Sequence, residues 1–309
     1  SSDLKHALRT GGIKKLIRHG VHWILKKLGI KHNLIQVGSK ESTNHPTVQN
    51  STISANLLDD YHTMLSRLKP LVCFQSGEKG LRLNLVTDSI NSGSLFGGVA
   101  TVIIFSAILA NEWDCDLRII TRIESAQKTN FYKIINLHNI KFNKNIEFEF
   151  APYSNKSHEI PIRNDDVFIT TSWWTTSGVK KTFGSNKIIY LLQEDERTFY
   201  SYSDLHLQCT QILSDSGVHY VINTKLLYDH FVNQGFDNIK DNGLWFEPSF
   251  PKSLFHHKHS MKTEKKNFFF YCRPRHFRNL YHLGIEVIEK CIEEKIINTL
   301  DVTGISALV

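Results

Sequence analysis

The sequence predicts an α/β protein built on parallel sheets with helices on both faces, and three observations lead there. Leu81–Glu112 lays a short apolar alternation (Leu81, Leu83, Leu85, Val86), a loop holding Gly93, Gly97 and Gly98, and an apolar run from Val99 to Ala110 end to end. Strand and helix patterns then alternate as far as Gln234. A second strand–turn–helix–strand pattern begins at Asn267. Repeated strand-then-helix order is the mark of a parallel sheet, because parallel neighbours need a crossover long enough to hold a helix.

Composition bounds the rest. With 309 residues, 41% hydrophobic and 22% charged, the chain has the makeup of a globular protein of about two domains. No apolar run reaches the roughly 18 residues of a membrane span. The net charge of +7 is local: residues 1–32 hold eight bases against the single Asp3, and the remainder is neutral. That excludes a broad nucleic-acid surface and points to one localised anionic partner. Leu4, Leu8, Leu16, Ile17, Val21, Ile24 and Leu28 recur among those bases at near-helical spacing. The segment reads either as an amphipathic helix on an anionic membrane or as a helix packed on the protein with its bases solvated. The five cysteines are far apart and form no CxxC pair, and no secretory leader is evident. Buried thiols of a cytoplasmic protein, peripheral at the inner membrane face, are therefore expected.

In chain order, residues 1–80 divide into the basic helix, a polar linker and a helical stretch from Ala55 to Leu68 closed by Pro70. Residues 81–250 form a Rossmann-like domain. Strands are expected at Leu117–Thr121, Ile146–Phe150, Asp166–Thr170, Lys187–Leu192 and His219–Asn223, and helices at Lys128–His138, Thr175–Phe183, Tyr202–Asp215 and Lys225–Gln234. Residues 251–266 are a linker rich in Pro, Ser, Lys and His. Residues 267–309 read as only the start of a C-terminal domain, being far shorter than an ordinary one.

Ligands of such sheets bind beyond the carboxyl ends of the strands. There the chain places the glycine loop, then Trp173 and Trp174, which could stack on a sugar face or equally be a pair of core or interface tryptophans, then Gln193, Glu194, Asp195, Glu196 and Arg197, where neighbouring carboxylates could raise one another's pKa for acid or base work. Gly97 and Gly98 spell neither GxGxxG nor a P-loop, so the loop alone offers backbone N–H groups and nothing more specific. Arg273, Arg275 and Arg278 sit where the late strand hands over to its helix, a placement suited to a diphosphate. His256, His257 and His259 lie in the linker without companion ligands, so no metal site is expected. Glu286 and Glu294 read as the solvated face of the last helix.

Taken together these segments resemble the WsaF-type rhamnosyltransferases. FFFYCRPRHFRNLYHLGIEVI is similar to the start of that family's C-terminal domain, KIIYLLQEDERTFYSYSD to its Gln-Asp-x-Glu motif followed by Phe-Tyr, and FGGVATVI to its N-terminal glycine loop. Glu194 stands where the family pattern has Asp. The resemblance implies a GT-B glycosyltransferase, two Rossmann-like domains of which the second is partly present. It would move a sugar from a nucleotide donor, dTDP-L-rhamnose in the named case, to a glycan or lipid-linked glycan acceptor, with no cofactor and no essential metal. It implies donor binding by Arg273, Arg278, Asn279, Gly97 and Gly98, catalysis by Gln193 and Glu196, and acceptor or sugar contact by Trp173, Trp174, Glu194 and Tyr200. Two alternatives stay open on the residues alone: a dinucleotide-binding oxidoreductase and a non-catalytic, membrane-docked binding module.

Overall fold

A computed structural model describes residues 62–95, 97–155, 157–249, 267–271, 277–297 and 299–303. The basic segment of residues 1–32, the polar linker after it, the 251–266 linker with its three histidines, and Arg273 with Arg275 lie outside the described residues. Among the described residues no helix is long and apolar enough to cross a membrane.

Two compact units emerge. One runs through Asp195 and resumes at Cys209; the other takes Glu196–Gln208 and the residues after Phe250. Among the described residues the first carries nine strands: β1 (Cys73–Gln75), β2 (Arg82–Thr87), β3 (Asp116–Thr121), β4 (Ile146–Phe150), β5 (Ile160–Ile162), β6 (Asp166–Thr170), β7 (Ile188–Leu192), β8 (His219–Asn223) and β9 (Gly243–Phe246). Its helices are α1 (Gly97–Glu112), α2 (Lys128–Leu137), α3 (Trp173–Phe183), the later part of α4 (Asp204–Leu213), α5 (Lys225–Asn233) and α6 (Asp237–Asn242), and residues 62–67 are also helical.

Seven strands form one sheet in the order β4-β3-β2-β6-β7-β8-β9, every pair parallel. The order reverses between β2 and β6, the topological switch point of a doubly wound sheet. α1 and α2 share one core with the sheet, through Val102, Phe105 and Leu109 of α1 and Phe131 and Ile135 of α2. The α/β class with a parallel sheet is thus as the sequence predicts. The short strands β1, β5 and β9 and the short helix α6 were not anticipated. β1 and β5 make a separate parallel pair in which Pro161 sits opposite Phe74.

The two sheet faces are built differently. Leu83, Leu85, Leu117, Ile119, Val167, Ile169, Ile189, Leu191 and Val221 share one face and form a continuous apolar core with Val102, Ile103, Phe105 and Leu109 of α1. The alternate residues near the start of β2, β3 and β6 are Arg82, Asn84, Arg118 and Asp166, all buried. Arg82 grips Asp166 with both arms of its guanidinium, Nε to Oδ1 at 3.0 Å and Nη2 to Oδ2 at 2.9 Å. Arg118 Nη2 lies 3.6 Å from the same carboxylate, and its Nη1 donates to the Pro161 carbonyl of β5 at 2.7 Å. Burial pulls the Arg118 pKa down. For Arg82 burial acts the same way, but pairing with Asp166 more than offsets it and the net shift is upward.

The second unit holds β10 (Asn267–Tyr271), α7 (Tyr281–Glu293) and β11 (Thr299–Thr303), with β10 and β11 paired in parallel. This is the strand–turn–helix–strand pattern read from the sequence. A Cβ on Gly284 would fall 2.5 Å from the Phe270 ring, so only glycine lets α7 settle this closely on β10. Glu286 on α7 and Glu294 at its C-terminal cap are exposed, as expected. Of the cysteines, Cys115 and Cys209 are buried and Cys73 and Cys291 half-buried; burial pushes the Cys73 and Cys115 thiols up to about 12.

Removing the carboxylate that two buried arginines share leaves uncompensated buried charge. Asp166→Ala should lower the urea-unfolding free energy at pH 7 by about 3–5 kcal/mol. A loss below about 1 kcal/mol would show that the cluster does not hold the sheet together.

Candidate functional site at the carboxyl ends of the strands

At the carboxyl end of β2 the chain enters a loop fastened to the β3–α2 connection. Asn91 does most of this: its Nδ2 donates to the Ser125 carbonyl at 3.0 Å, its Oδ1 accepts from the Gln127 amide at 2.7 Å, and its own carbonyl accepts from Ser94 and Leu95. Ser89 hydrogen-bonds Glu124, and this bond with a second from Asn91 holds the Glu124 carboxyl below its ordinary pKa. The loop is a fixed platform for the helix after it.

That helix is α1, and it opens at Gly97 rather than Val99. Both glycines therefore lie in the first helical turn, not in the loop where their poor helix propensity placed them. Gly98 is there because another side chain needs the room. Gln193, just past β7, donates its Nε2–H to the Gly98 carbonyl at 2.9 Å, and a Cβ on Gly98 would stand 3.2 Å from both Nε2 and Oε1 of that amide. The structure thus brings together two of the sequence-predicted residues, 95 positions apart. The first-turn amides of a helix lack intrahelical partners and carry its positive dipole end, so this corner suits an oxygen-rich or anionic group.

The tryptophans occupy different surroundings. Ser172 caps α3 in a capping box with Thr175, which draws both indoles into the first turn. Trp173 is completely buried and offers no ring face to a ligand; its expected sugar contact is corrected to a core role. Trp174 is half-buried, edge-on to Trp173 at 6.2 Å, and its indole N–H donates to the Asp88 carboxylate at 3.2 Å.

Asp88, at the exit of β2, gathers further partners that sequence reasoning missed. The Tyr153 hydroxyl donates to it at 2.7 Å and Arg67 lies 3.7 Å away. Arg67 also stands over the Trp174 ring at 5.6 Å, and buried Arg122 over the Tyr153 ring at 4.4 Å. Burial, with the Asp88 charge added, pushes the Tyr153 hydroxyl well above its usual pKa, so it stays a proton donor to Asp88. The one sequence signal was position: Asp88 directly follows a buried strand.

The polar run after β7 is divided. Glu194 and Asp195 are half-buried in the first unit, where Asp195 Oδ2 meets His230 Nε2 of α5 at 2.9 Å. Glu196 is buried at 5% exposure and opens a 3-10 turn, Glu196–Phe199, that belongs to the second unit together with half-buried Tyr200. The chain passes from the first unit to the second between Asp195 and Glu196. In the second unit another 3-10 turn, Phe277–Asn279, precedes α7. Arg278 is exposed there with its guanidinium 4.2 Å over the Phe199 ring, and Leu280 takes a left-handed conformation (φ 49°) to start the helix. The Asn279 Oδ1 is buried without a hydrogen-bond partner. Among the described residues no group of three or more His, Cys, Asp or Glu is gathered to hold a metal.

The seven-stranded parallel sheet with its reversal between β2 and β6 is a doubly wound α/β fold, in which ligands bind beyond the carboxyl ends of the strands. Residues 82–225 match the family model described as "WsaF, N-terminal domain", which bears out the resemblance to WsaF-type proteins over β2 through the start of α5. The chain is also similar, at 27% identity over 129 residues, to the O-antigen biosynthesis protein RfbC of Myxococcus xanthus. That match takes in 42% of this chain and spans a tenth of the relative's length.

Gly98→Ala and Gln193→Leu break the same contact from opposite sides. Each should cost about 0.5–1.5 kcal/mol in denaturant unfolding, and the double variant no more than the costlier single one. Full additivity would mean that the two residues do not depend on each other.

Proposed function

We propose that this chain is a glycosyltransferase of polysaccharide or glycoprotein-glycan synthesis. It is of the GT-B type, takes a nucleoside diphosphate sugar such as dTDP-L-rhamnose, and transfers the sugar without an essential metal to a glycan or lipid-linked glycan. The observation that carries the reading is the Gln193–Gly98 hydrogen bond at the first turn of α1, within the span matching a WsaF N-terminal domain. The name of the Myxococcus relative, an O-antigen biosynthesis protein, supports the polysaccharide setting.

In this reading the leaving nucleotide carries the chemistry. Breaking the bond between the sugar and the diphosphate builds negative charge on the phosphate oxygens, and fixed positive groups lower that barrier. Arg278, with Arg273, neutralises the diphosphate, and Asn279 supplies a hydrogen-bonding group beside it. The α1 amides at Gly97 and Gly98 meet sugar or acceptor hydroxyls. Gln193 commits its NH₂ to the helix and keeps its carbonyl as an acceptor. Glu196 and Glu194 handle acceptor protons, Trp174 and Tyr200 offer aromatic edges and faces to the sugar, and residues 1–32 hold the protein at an anionic membrane surface.

A second reading has one observation in its favour: the strand order is also that of dinucleotide-binding domains. Residues 93–98, GSLFGG, do not supply the fingerprint that such domains use to admit a pyrophosphate at the first helix. A release assay for nucleoside diphosphate, run on the complete polypeptide with a panel of nucleotide sugars, tests the proposal. One donor should be turned over, and Arg278→Ala should lower kcat/KM for it about tenfold or more. Turnover unchanged by the substitution would remove Arg278 from the donor site.

A further inference from the structure

We propose that the exits of β2 and β3 form an oxyanion site, with Arg67 as its contact residue, for a carboxylate or phosphate group carried by the acceptor glycan. The assignment to the acceptor rests on the glycosyltransferase reading above, which gives the donor diphosphate to Arg278; the anion site itself does not depend on that reading. The groups are brought together within the first unit. Arg122 directly follows β3, and its amide donates to the Thr87 and Asp88 carbonyls at 3.1 and 3.2 Å. Its guanidinium lies 4.4 Å over the Tyr153 ring and reaches the Lys69 carbonyl, just past Arg67, at 3.5 Å. Arg67 in turn stands 5.6 Å over the ring of Trp174 at the start of α3.

The charges in this corner do not balance. Two guanidiniums, Arg67 and Arg122, gather around one carboxylate, Asp88. Arg122 is 5% exposed, and among the described residues no carboxylate lies at ion-pair distance from it. Its side-chain partner is the neutral Tyr153 phenol, and burial pulls its pKa down. A buried guanidinium without a counter-charge is costly, and an anion bound beside it offsets that cost. The Asp88 oxygens are already engaged by the Tyr153 hydroxyl at 2.7 Å and the Trp174 indole N–H at 3.2 Å. Arg67 therefore stops 3.7 Å short of Oδ2, beyond hydrogen-bond reach, and among the described residues none of its nitrogens is hydrogen-bonded. Its side chain is 28% exposed, open enough for a ligand to meet it. The ion pair and the cation–π contact restrain it, and its N–H groups suit the paired oxygens of a carboxylate or phosphate. Asp88 and Trp174 follow β2 and β6, so the site falls at the switch point, where ligands of doubly wound sheets bind.

The test uses the complete polypeptide and two probes, glucuronate and inorganic phosphate, with neutral glucose as the control. Nuclear magnetic resonance follows the Arg67 Nε–H and the Trp174 indole N–H during each titration. At least one anion should shift both signals saturably, and glucose should shift neither. Arg67→Gln should weaken the binding read at Trp174 about tenfold or more, and Arg67→Lys should weaken it less. Binding of glucuronate alone would support an acidic sugar as the recognised group, and binding of phosphate alone a phosphate-linked acceptor. No saturable shift with either anion, equal shifts with glucose, or unchanged affinity in Arg67→Gln would overturn the site. Displacement of the bound anion by dTDP would overturn its assignment to the acceptor. Arg67-dependent anion binding in a protein that releases nucleotide from no sugar donor would support the anion site and overturn the glycosyltransferase reading.

Discussion

The Asp166 carboxylate, buried between two arginines, is the constraint on which the first unit depends. It sits at the start of β6, where the strand order reverses, and Arg82 of β2 holds it with a bidentate grip while Arg118 of β3 approaches from the next strand. A buried carboxylate must be paired, and here the pairing can be met only in one register of three strands. The same arginines reach the Pro161 carbonyl, which seats the small β1–β5 pair against this polar face. Specificity at one end of the sheet frees the other end for function.

With the strand starts fixed, the strand ends present two distinct corners. In one, Gln193 closes on the first turn of α1 through a glycine that leaves it room. In the other, Asp88 draws together Tyr153, Trp174 and Arg67 around the exit of β2. In that second corner the Asp88 carboxylate is filled by the protein's own donors. Within the second unit a third group of residues, Phe199 and Arg278, meets across two short turns.

The sheet was largely legible because parallel strands buried on both faces read as short apolar runs. β4, β6, β8 and β11 fall where the hydrophobic pattern puts them. β1 and β5 escaped because a three-residue strand has no period, and the proline in Ile160–Ile162 argues against a strand on sequence alone. Gly97 and Gly98 misled for a related reason: local propensity disfavours glycine in a helix, and the distant Gln193 explains its presence at Gly98 alone. The pairing of Gln193 with Gly98 was not legible, since it joins residues 95 positions apart through a backbone carbonyl. Nor were Asp88, Asn91, Tyr153 and Arg122, since a polar residue that organises a loop looks like one that is merely solvated. Trp173 shows the converse, a large aromatic beside a polar strand end that is simply core.

On the function proposed above, the first turn of α1 with Gln193 receives the sugar end of a nucleotide sugar. The most direct measurement is a nuclear magnetic resonance titration that follows the backbone amides of Gly97 and Gly98 and the side-chain amide of Gln193. Adding dTDP-L-rhamnose should shift all three together and saturably, while dTDP alone leaves them near their starting positions and NAD does not move them. Shifts produced by NAD, or none with dTDP-L-rhamnose or other nucleotide sugars while one of these is seen to bind elsewhere on the protein, would contradict the account.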